Sequence, residues 1–158
     1  MIVLRRLTQA DLPRLRQFWK EHWGDEFVVA HGVIFHPDHL DGFIAFDGRE
    51  WVGAITYTCS GDECEIVSLD SVREGQGLGT SLIHAVVEAA RKQGCRRVFL
   101  ITTNDNLHAL GFYQKRGFAL VRIHRGAVHE SRKIKPDIPL IGMNNIPLRD
   151  EIELEILL

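Results

Sequence analysis

Three glycines alternate at positions 75, 77 and 79 within residues 71–80, SVREGQGLGT, between an apolar-alternating run and a helical one. Positions without a side chain let a ligand approach the backbone closely and permit positive φ angles. Backbone N–H groups at a helix start, together with the positive end of its dipole, hold anions such as phosphates. Three phosphate-binding arrangements compete for such a stretch. A P-loop needs a lysine directly after its last glycine, and none follows here. The dinucleotide fingerprint G-x-G-x-x-G fits Gly75 and Gly77 but meets Thr80 at its third position. It also opens a parallel unit, whereas the strands ahead of this loop read as hairpin-linked and antiparallel. The third arrangement needs only a strand, glycines and a helix start, and binds a pyrophosphate through backbone N–H groups alone. A plain strand-to-helix turn usually holds one glycine, so the alternating three point to a phosphate cradle.

Two other groups of reactive residue types carry less. His31, His36 and His39 with Asp38 fit no zinc spacing and fall in a stretch that reads as loop, so no metal is expected. Cys59 and Cys64 flank a hairpin turn and stand to face each other, with nothing nearby to activate a thiolate. Both groups read as packing residues.

The cradle needs elements to position it, and the pattern supplies them. A short strand at 2–7 leads to Thr8 and Asp11, spaced as a capping box for a helix that ends near His22. On that helix Leu12, Leu15, Phe18 and Trp19 share one face. An irregular, aromatic-rich segment follows. Strands at 43–47, 50–58 and 64–72 form a meander, the first two joined by Asp47 and Gly48. After the glycines comes an amphipathic helix over 80–94, apolar at 82, 83, 86, 87 and 90 and stopped by Gly94. The run at 96–103 is a near-continuous apolar strand, the pattern of one covered on both faces. Asn104 or Asn106 caps the next helix, which ends at Gly117. A strand at 118–124, a short helix at 127–135, a proline-punctuated loop and a strand at 152–158 complete the chain.

With 158 residues, the chain has the size of one domain able to bury a core without disulfides or metals. A formal charge of −2 gives no electrostatic case for nucleic acid or an anionic membrane as partner. Its three cysteines have no C-x-x-C spacing, and no apolar run reaches the ~20 residues of a membrane span. The start of the chain lacks the order of a signal peptide. A cytoplasmic protein is expected.

Two motifs in sequence order resemble the GNAT superfamily of acyl-CoA-dependent N-acetyltransferases. The family's R/Q-x-x-G-x-G/A motif is matched by Glu74, Gly75, Gln76, Gly77, Leu78 and Gly79. Its Asn, Ala and Tyr at spacings of three and seven, ahead of Gly-Phe, are matched by Asn106, Ala109, Tyr113, Gly117 and Phe118. One departure is Glu74, where the family has Arg or Gln; Arg73 stands one place early. An acid there weakens phosphate binding unless it turns away and Arg73 compensates.

The resemblance implies an α/β (α+β) fold over 1–158 as a single N-acetyltransferase domain. Its central sheet would be mixed and mostly antiparallel, flanked by helices, with a splayed strand pair at the coenzyme A site. Acetyl-CoA is then the co-substrate and an amine the acceptor, in a monomer or homodimer. Backbone groups of Leu69, Ser71 and Val72 would pair with pantetheine, an N–H near Leu69 would polarise the thioester carbonyl, and Gly75 to Thr80 would hold the pyrophosphate. Asn106 and Ala109 would line the cofactor. Tyr113 would protonate the leaving thiolate, its phenol being neutral at physiological pH with a reference pKa near ~10. Glu65 would be the general base, with Asp70 and His124 as alternatives. The acceptor would meet the segment carrying Trp23, Asp25, Glu26, Phe27 and Phe35. A non-catalytic acyl-CoA-binding regulatory module is the alternative function; a nucleotide-binding enzyme of another fold is a weaker one.

Overall fold

Apolar residues alternating along successive stretches, separated by tight glycine turns, build an antiparallel meander in the computed structural model, which describes residues 1–158. The strands are β1 (Ile2–Arg6), β2 (Val28–Ala30), β3 (Val33–Phe35), β4 (Asp41–Asp47), β5 (Glu50–Ser60), β6 (Glu63–Ser71), β7 (Arg97–Thr103), β8 (Ala119–His124) and β9 (Glu151–Leu157). The helices are α1 (Leu12–Trp23), α2 (Leu78–Lys92), α3 (Leu107–Lys115) and α4 (Ala127–Ile134). Seven strands are hydrogen-bonded neighbours in the order β1-β4-β5-β6-β7-β9-β8. The pairs β1–β4, β4–β5, β5–β6 and β8–β9 run antiparallel. The α/β class with a mostly antiparallel sheet is therefore as the sequence predicts. Where irregular chain is expected after α1, β2 and β3 instead form a two-stranded pair. Their turn is made by His31 and Gly32, both at positive φ (41° and 78°).

Packing divides the chain into two compact units: residues 1–28, 35–98 and 158 form the first, 29–34 and 99–157 the second. The first holds the meander between α1 and α2. Leu15 and Trp19 of α1 pack with Ile44, Trp51 and Ala54, so α1 covers the face on which Ala54 points. Gly53, the next residue along β5, points to the opposite face, where Leu78 and Leu82 of α2 lie. A Cβ at Gly53 would sit 2.9 Å from the Asp70 carbonyl oxygen and 3.1 Å from Leu78, so glycine there allows α2 to approach closely. Leu82, Ile83, Val86, Val87 and Ala90 are all buried, as the helical spacing predicts. Each such side chain contributes on the order of 1–3 kcal/mol of burial free energy.

The expected capping box forms one turn early, on a 3-10 turn (Gln9–Asp11) that leads into α1. Asp11 accepts hydrogen bonds from the Thr8 N–H (2.8 Å) and hydroxyl (3.0 Å). Arg5 adds two bonds of 2.7 Å, and its guanidinium is the main reason that the Asp11 carboxyl titrates down at about 2. Gly24 ends α1 at φ 85°.

In the second unit β8 pairs with β9, and Asn106 rather than Asn104 caps α3, its side-chain oxygen accepting the Ala109 N–H at 3.0 Å. Asn104 instead holds the chain ahead of β9, accepting the N–H groups of Arg149 and Asp150 and donating to the Pro147 carbonyl. Buried Asp105 accepts from Thr103 and from the N–H of Met143, and Arg132 donates to the carbonyls of Ile138, Pro139 and Leu148. The proline-punctuated loop is thus pinned at several points. On β7, Val98 and Leu100 are buried while Phe99 and Ile101 are half-buried, so one face is sealed more fully than the other.

Replacing Asp11 with asparagine should lower stability by about 1–2 kcal/mol at neutral pH. Because the folded-state pKa is depressed, this contribution is present above the unfolded value near ~3.9 and is lost as pH falls toward 2. Thermal melts of the parent and Asp11→Asn should therefore converge across that window.

Candidate active site

The direction of each group on β6 follows from its pairing with β5. The Val72 N–H donates to the Val52 carbonyl at 2.9 Å, and Val52, Gly53, Ala54 and Ile55 are followed in register by Val72, Ser71, Asp70 and Leu69. Antiparallel ladders alternate hydrogen-bonded and non-hydrogen-bonded pairs. Asp70 therefore bonds toward β5, while the backbone groups of Leu69 and Ser71 point to the other edge. Val72 uses its N–H within the sheet, so that group is not open to a ligand.

A bulge further back changes the faces. Thr56 pairs with Ser68 but Tyr57 with Ile66, so Val67 is the extra residue. Glu65, opposite Thr58, consequently joins Ser68 and Asp70 on the face that α1 covers. Simple alternation would have put Glu65 and Asp70 on opposite faces. The Thr56 and Ser68 hydroxyls bond each other at 2.6 Å between the two carboxylates. Glu65 is buried.

Past Ser71 the chain becomes an open loop. Gly75 and Gly77 take φ angles of 74° and 71°, and a Cβ at either would meet no atom within 4 Å. Glycine is needed there for its backbone conformation, not for lack of space. Gly77 is the N-cap of α2, with no side chain to close the helix end, and the Ser81 N–H returns to its carbonyl at 3.0 Å. The first N–H groups of a helix lack intrahelical partners. Leu78 is buried and anchors this end, Gly79 and Thr80 lie in the first turn, and Gln76 is exposed on the loop. Arg73 does not reach toward this loop to offset Glu74. It pairs with Asp47 and, at 2.7 Å, with Glu50, tying the loop's start to the β4–β5 hairpin. Glu74 is exposed.

Asp70 was only an alternative in the sequence, and the structure gives it unusual surroundings. Its Oδ1 accepts the indole N–H of Trp23 at 3.2 Å, whereas its Oδ2 is buried with no hydrogen-bond partner. Burial pushes its pKa up to about 6, partly opposed by the Trp23 bond and by His22.

Three further predicted residues lie in the second unit, at the cap and along α3. Asn106, Ala109 and Tyr113 follow at spacings of three and four, one stripe of the helix. The Tyr113 ring lies edge-on to Phe112 (5.1 Å) and Phe118 (5.5 Å). His124 bonds Glu153 at 3.0 Å. The histidines weighed as metal ligands take separate partners. The His31 N–H donates to Glu151, the His36 ring lies 5.9 Å from Phe27, and Asp38 pairs with Arg16. Cys59 and Cys64 are register partners, and burial beside Cys59 pushes the Cys64 thiol far up.

The strand that feeds the glycine loop and the helix start that follows it can together receive an anionic ligand on main-chain N–H groups. The sequence model of the acetyltransferase (GNAT) family matches residues 4–118. The chain belongs to that family and is by that membership an acetyl-CoA-dependent acetyltransferase. It is 49% identical over 136 residues to YxbD, an uncharacterized protein of Bacillus subtilis (strain 168), covering 85% of this chain and 86% of that one. Among solved structures, a GNAT family acetyltransferase from Elizabethkingia anophelis with acetyl-CoA bound superposes with a TM-score of 0.71 at 22% identity, covering 99% and 98% of the two chains. An acetyltransferase of Bacillus subtilis in complex with CoA gives 0.69 at 22% identity, covering 99% and 97%. No helix of the chain is long and apolar enough to cross a membrane.

Gly77→Ala should lower stability by about 1–2 kcal/mol, because an L side chain is forced into positive φ. Gly111→Ala, within α3 and also facing open space, should be neutral or slightly stabilising. Denaturant unfolding of the two variants distinguishes backbone strain from crowding.

Proposed function

We propose that the chain transfers an acetyl group from acetyl-CoA to a primary amine of a small molecule or peptide, in a direct ternary complex. The observation that carries this reading is the backbone of Leu69 and Ser71, directed away from β5, which runs straight into the glycine loop and the open N-terminus of α2. The family match to residues 4–118 runs through both units and supports reading 1–158 as one catalytic domain. Three free thiols fit a reducing, cytoplasmic setting.

Bound acetyl-CoA supplies the activated thioester. Leu69 and Ser71 pair with the pantetheine amides as a strand edge pairs with another chain, and a Leu69 N–H polarises the acetyl carbonyl. Gly75 to Thr80 hold the pyrophosphate on backbone N–H groups and the helix dipole. Asn106 shapes the start of α3, Ala109 keeps that stripe slim for the cofactor, and the Tyr113 phenol protonates the departing thiolate. The proton of the amine leaves along the α1-covered face of β6, where the carboxylates of Glu65 and Asp70 lie. The acceptor enters past the segment that begins with Trp23.

Thiol release from acetyl-CoA with spermidine, lysine, ethanolamine, glucosamine, tryptamine and an unblocked peptide tests the function. Release that depends on at least one amine is expected; coenzyme A binding without turnover on any of them contradicts it. Tyr113→Phe should reduce kcat by about 100-fold while leaving coenzyme A affinity within about threefold. Glu74→Gln should tighten coenzyme A binding severalfold, by removing a charge whose effect fades as salt is raised.

A further inference from the structure

The face of β6 that α1 covers carries two carboxylates, and they are far apart. Their register partners on β5, Ala54 and Thr58, are four residues apart, or about 13 Å along a strand. Asp70 lies between Leu69 and Ser71, the residues whose backbone points to the ligand edge. Glu65 is several steps back, beyond the Thr56–Ser68 hydroxyl pair. A proton acceptor must stand within hydrogen-bond reach of the reacting nitrogen, or one water away. Of the two carboxylates, Asp70 is the one at the Leu69 end of the strand.

Its immediate contacts agree. One carboxylate oxygen is held by the Trp23 indole and the other is buried without a donor. A buried carboxylate oxygen with no partner is costly, and an arriving ammonium would satisfy it. Trp23, the last residue of α1, is 44% exposed, so an amine entering from solvent meets its indole beside Asp70. Aromatic faces attract organic cations, which suits the same route.

We infer that Asp70 takes the proton of the acceptor amine directly, with Trp23 seating the carboxylate and meeting the incoming cation, and that the acceptors of the acetyl transfer proposed above are accordingly amines that arrive as ammonium ions. The ammonium gives one proton to Asp70, and the freed nitrogen lone pair forms the C–N bond to the acetyl carbon. The C–S bond breaks with its electron pair on sulfur. The second proton leaving nitrogen, passed through water, balances the proton that the thiolate takes up. Asp70 then returns its proton to solvent, through water toward Glu65. The ionisable groups bearing on Asp70 are few. His22 faces it from α1 and favours its ionised form; its register neighbours Ala54 on β5 and Ile44 on β4 carry no charge, and Glu65 is the other acid on its own strand face.

The test is the pH dependence of kcat/KM for the best acceptor of the amine panel, measured as thiol release, with coenzyme A affinity recorded for each variant. The parent should show a limb rising through about pH 6, below the ionisation of the amine itself. Asp70→Asn should erase that limb and lower kcat at pH 7 by about 100-fold with coenzyme A affinity unchanged, leaving a rate that climbs only with amine ionisation. Glu65→Gln should keep the limb. Trp23→Phe removes the donor that favours the ionised carboxylate, so the limb should move to higher pH; this variant decides the matter should Asp70→Asn fail to bind coenzyme A. An Asp70→Asn enzyme that keeps the limb, a Trp23→Phe enzyme whose limb stays in place, or loss of the limb in Glu65→Gln alone overturns the assignment. A parent without turnover on any amine overturns the acetyl-transfer reading itself.

Discussion

Backbone pairing between β5 and β6 decides where every functional group on β6 points. The Val72 to Val52 hydrogen bond sets the phase, so Asp70 bonds toward β5 and the backbone groups of Leu69 and Ser71 point away from it. The extra residue at Val67 then resets the faces and brings Glu65 round to the side of Asp70. Removing that bulge would leave the ligand edge intact but turn one carboxylate to the opposite face of the sheet. Edge and acid are thus fixed by one ladder. The close approach of α2, which Gly53 permits, holds the ladder from the other face.

The loop beyond β6 inherits its position from the same meander. Arg73 clamps its first turn to Asp47 and Glu50 on the β4–β5 hairpin, and Leu78 buries its far end. Between these anchors the glycines adopt positive-φ conformations that other residues take only at a cost, while leaving the surface above them open. A cradle built from main chain needs this combination of fixed ends and bare backbone. Glu74 is turned to solvent, and in the proposed cradle the anion would be held by N–H groups and the helix dipole instead of a side-chain cation.

The features that read clearly from the sequence are those that depend on periodicity or local chemistry. The meander, the buried stripe of α2 and the glycine loop follow from residue spacing, as does an asparagine cap for α3, with the choice between Asn104 and Asn106 left to the structure. Long-range choices did not read out. A bulge leaves no mark in an alternating pattern, so the shared face of Glu65 and Asp70 needed the register. β2 and β3 are three residues each, too short for a period to show. Arg73 reads in the sequence as a charge placed to compensate for Glu74, yet two acids 23 and 26 positions away claim it. The Trp23–Asp70 bond joins residues 47 positions apart, and only the fold brings them together. A partial signal existed: an aspartate in a strand otherwise buried must find a partner or titrate high.

The central claim is that the outward edge of β6 and the glycine loop together hold coenzyme A, and residue-resolved NMR titration tests it most directly. With coenzyme A, the amide signals of Leu69, Ser71, Gly75, Gln76, Gly77 and Gly79 should shift together and saturate at one ligand per chain, while NAD leaves them unmoved. Saturable coenzyme A binding that leaves these amides in place, or equal shifts produced by NAD, would contradict it.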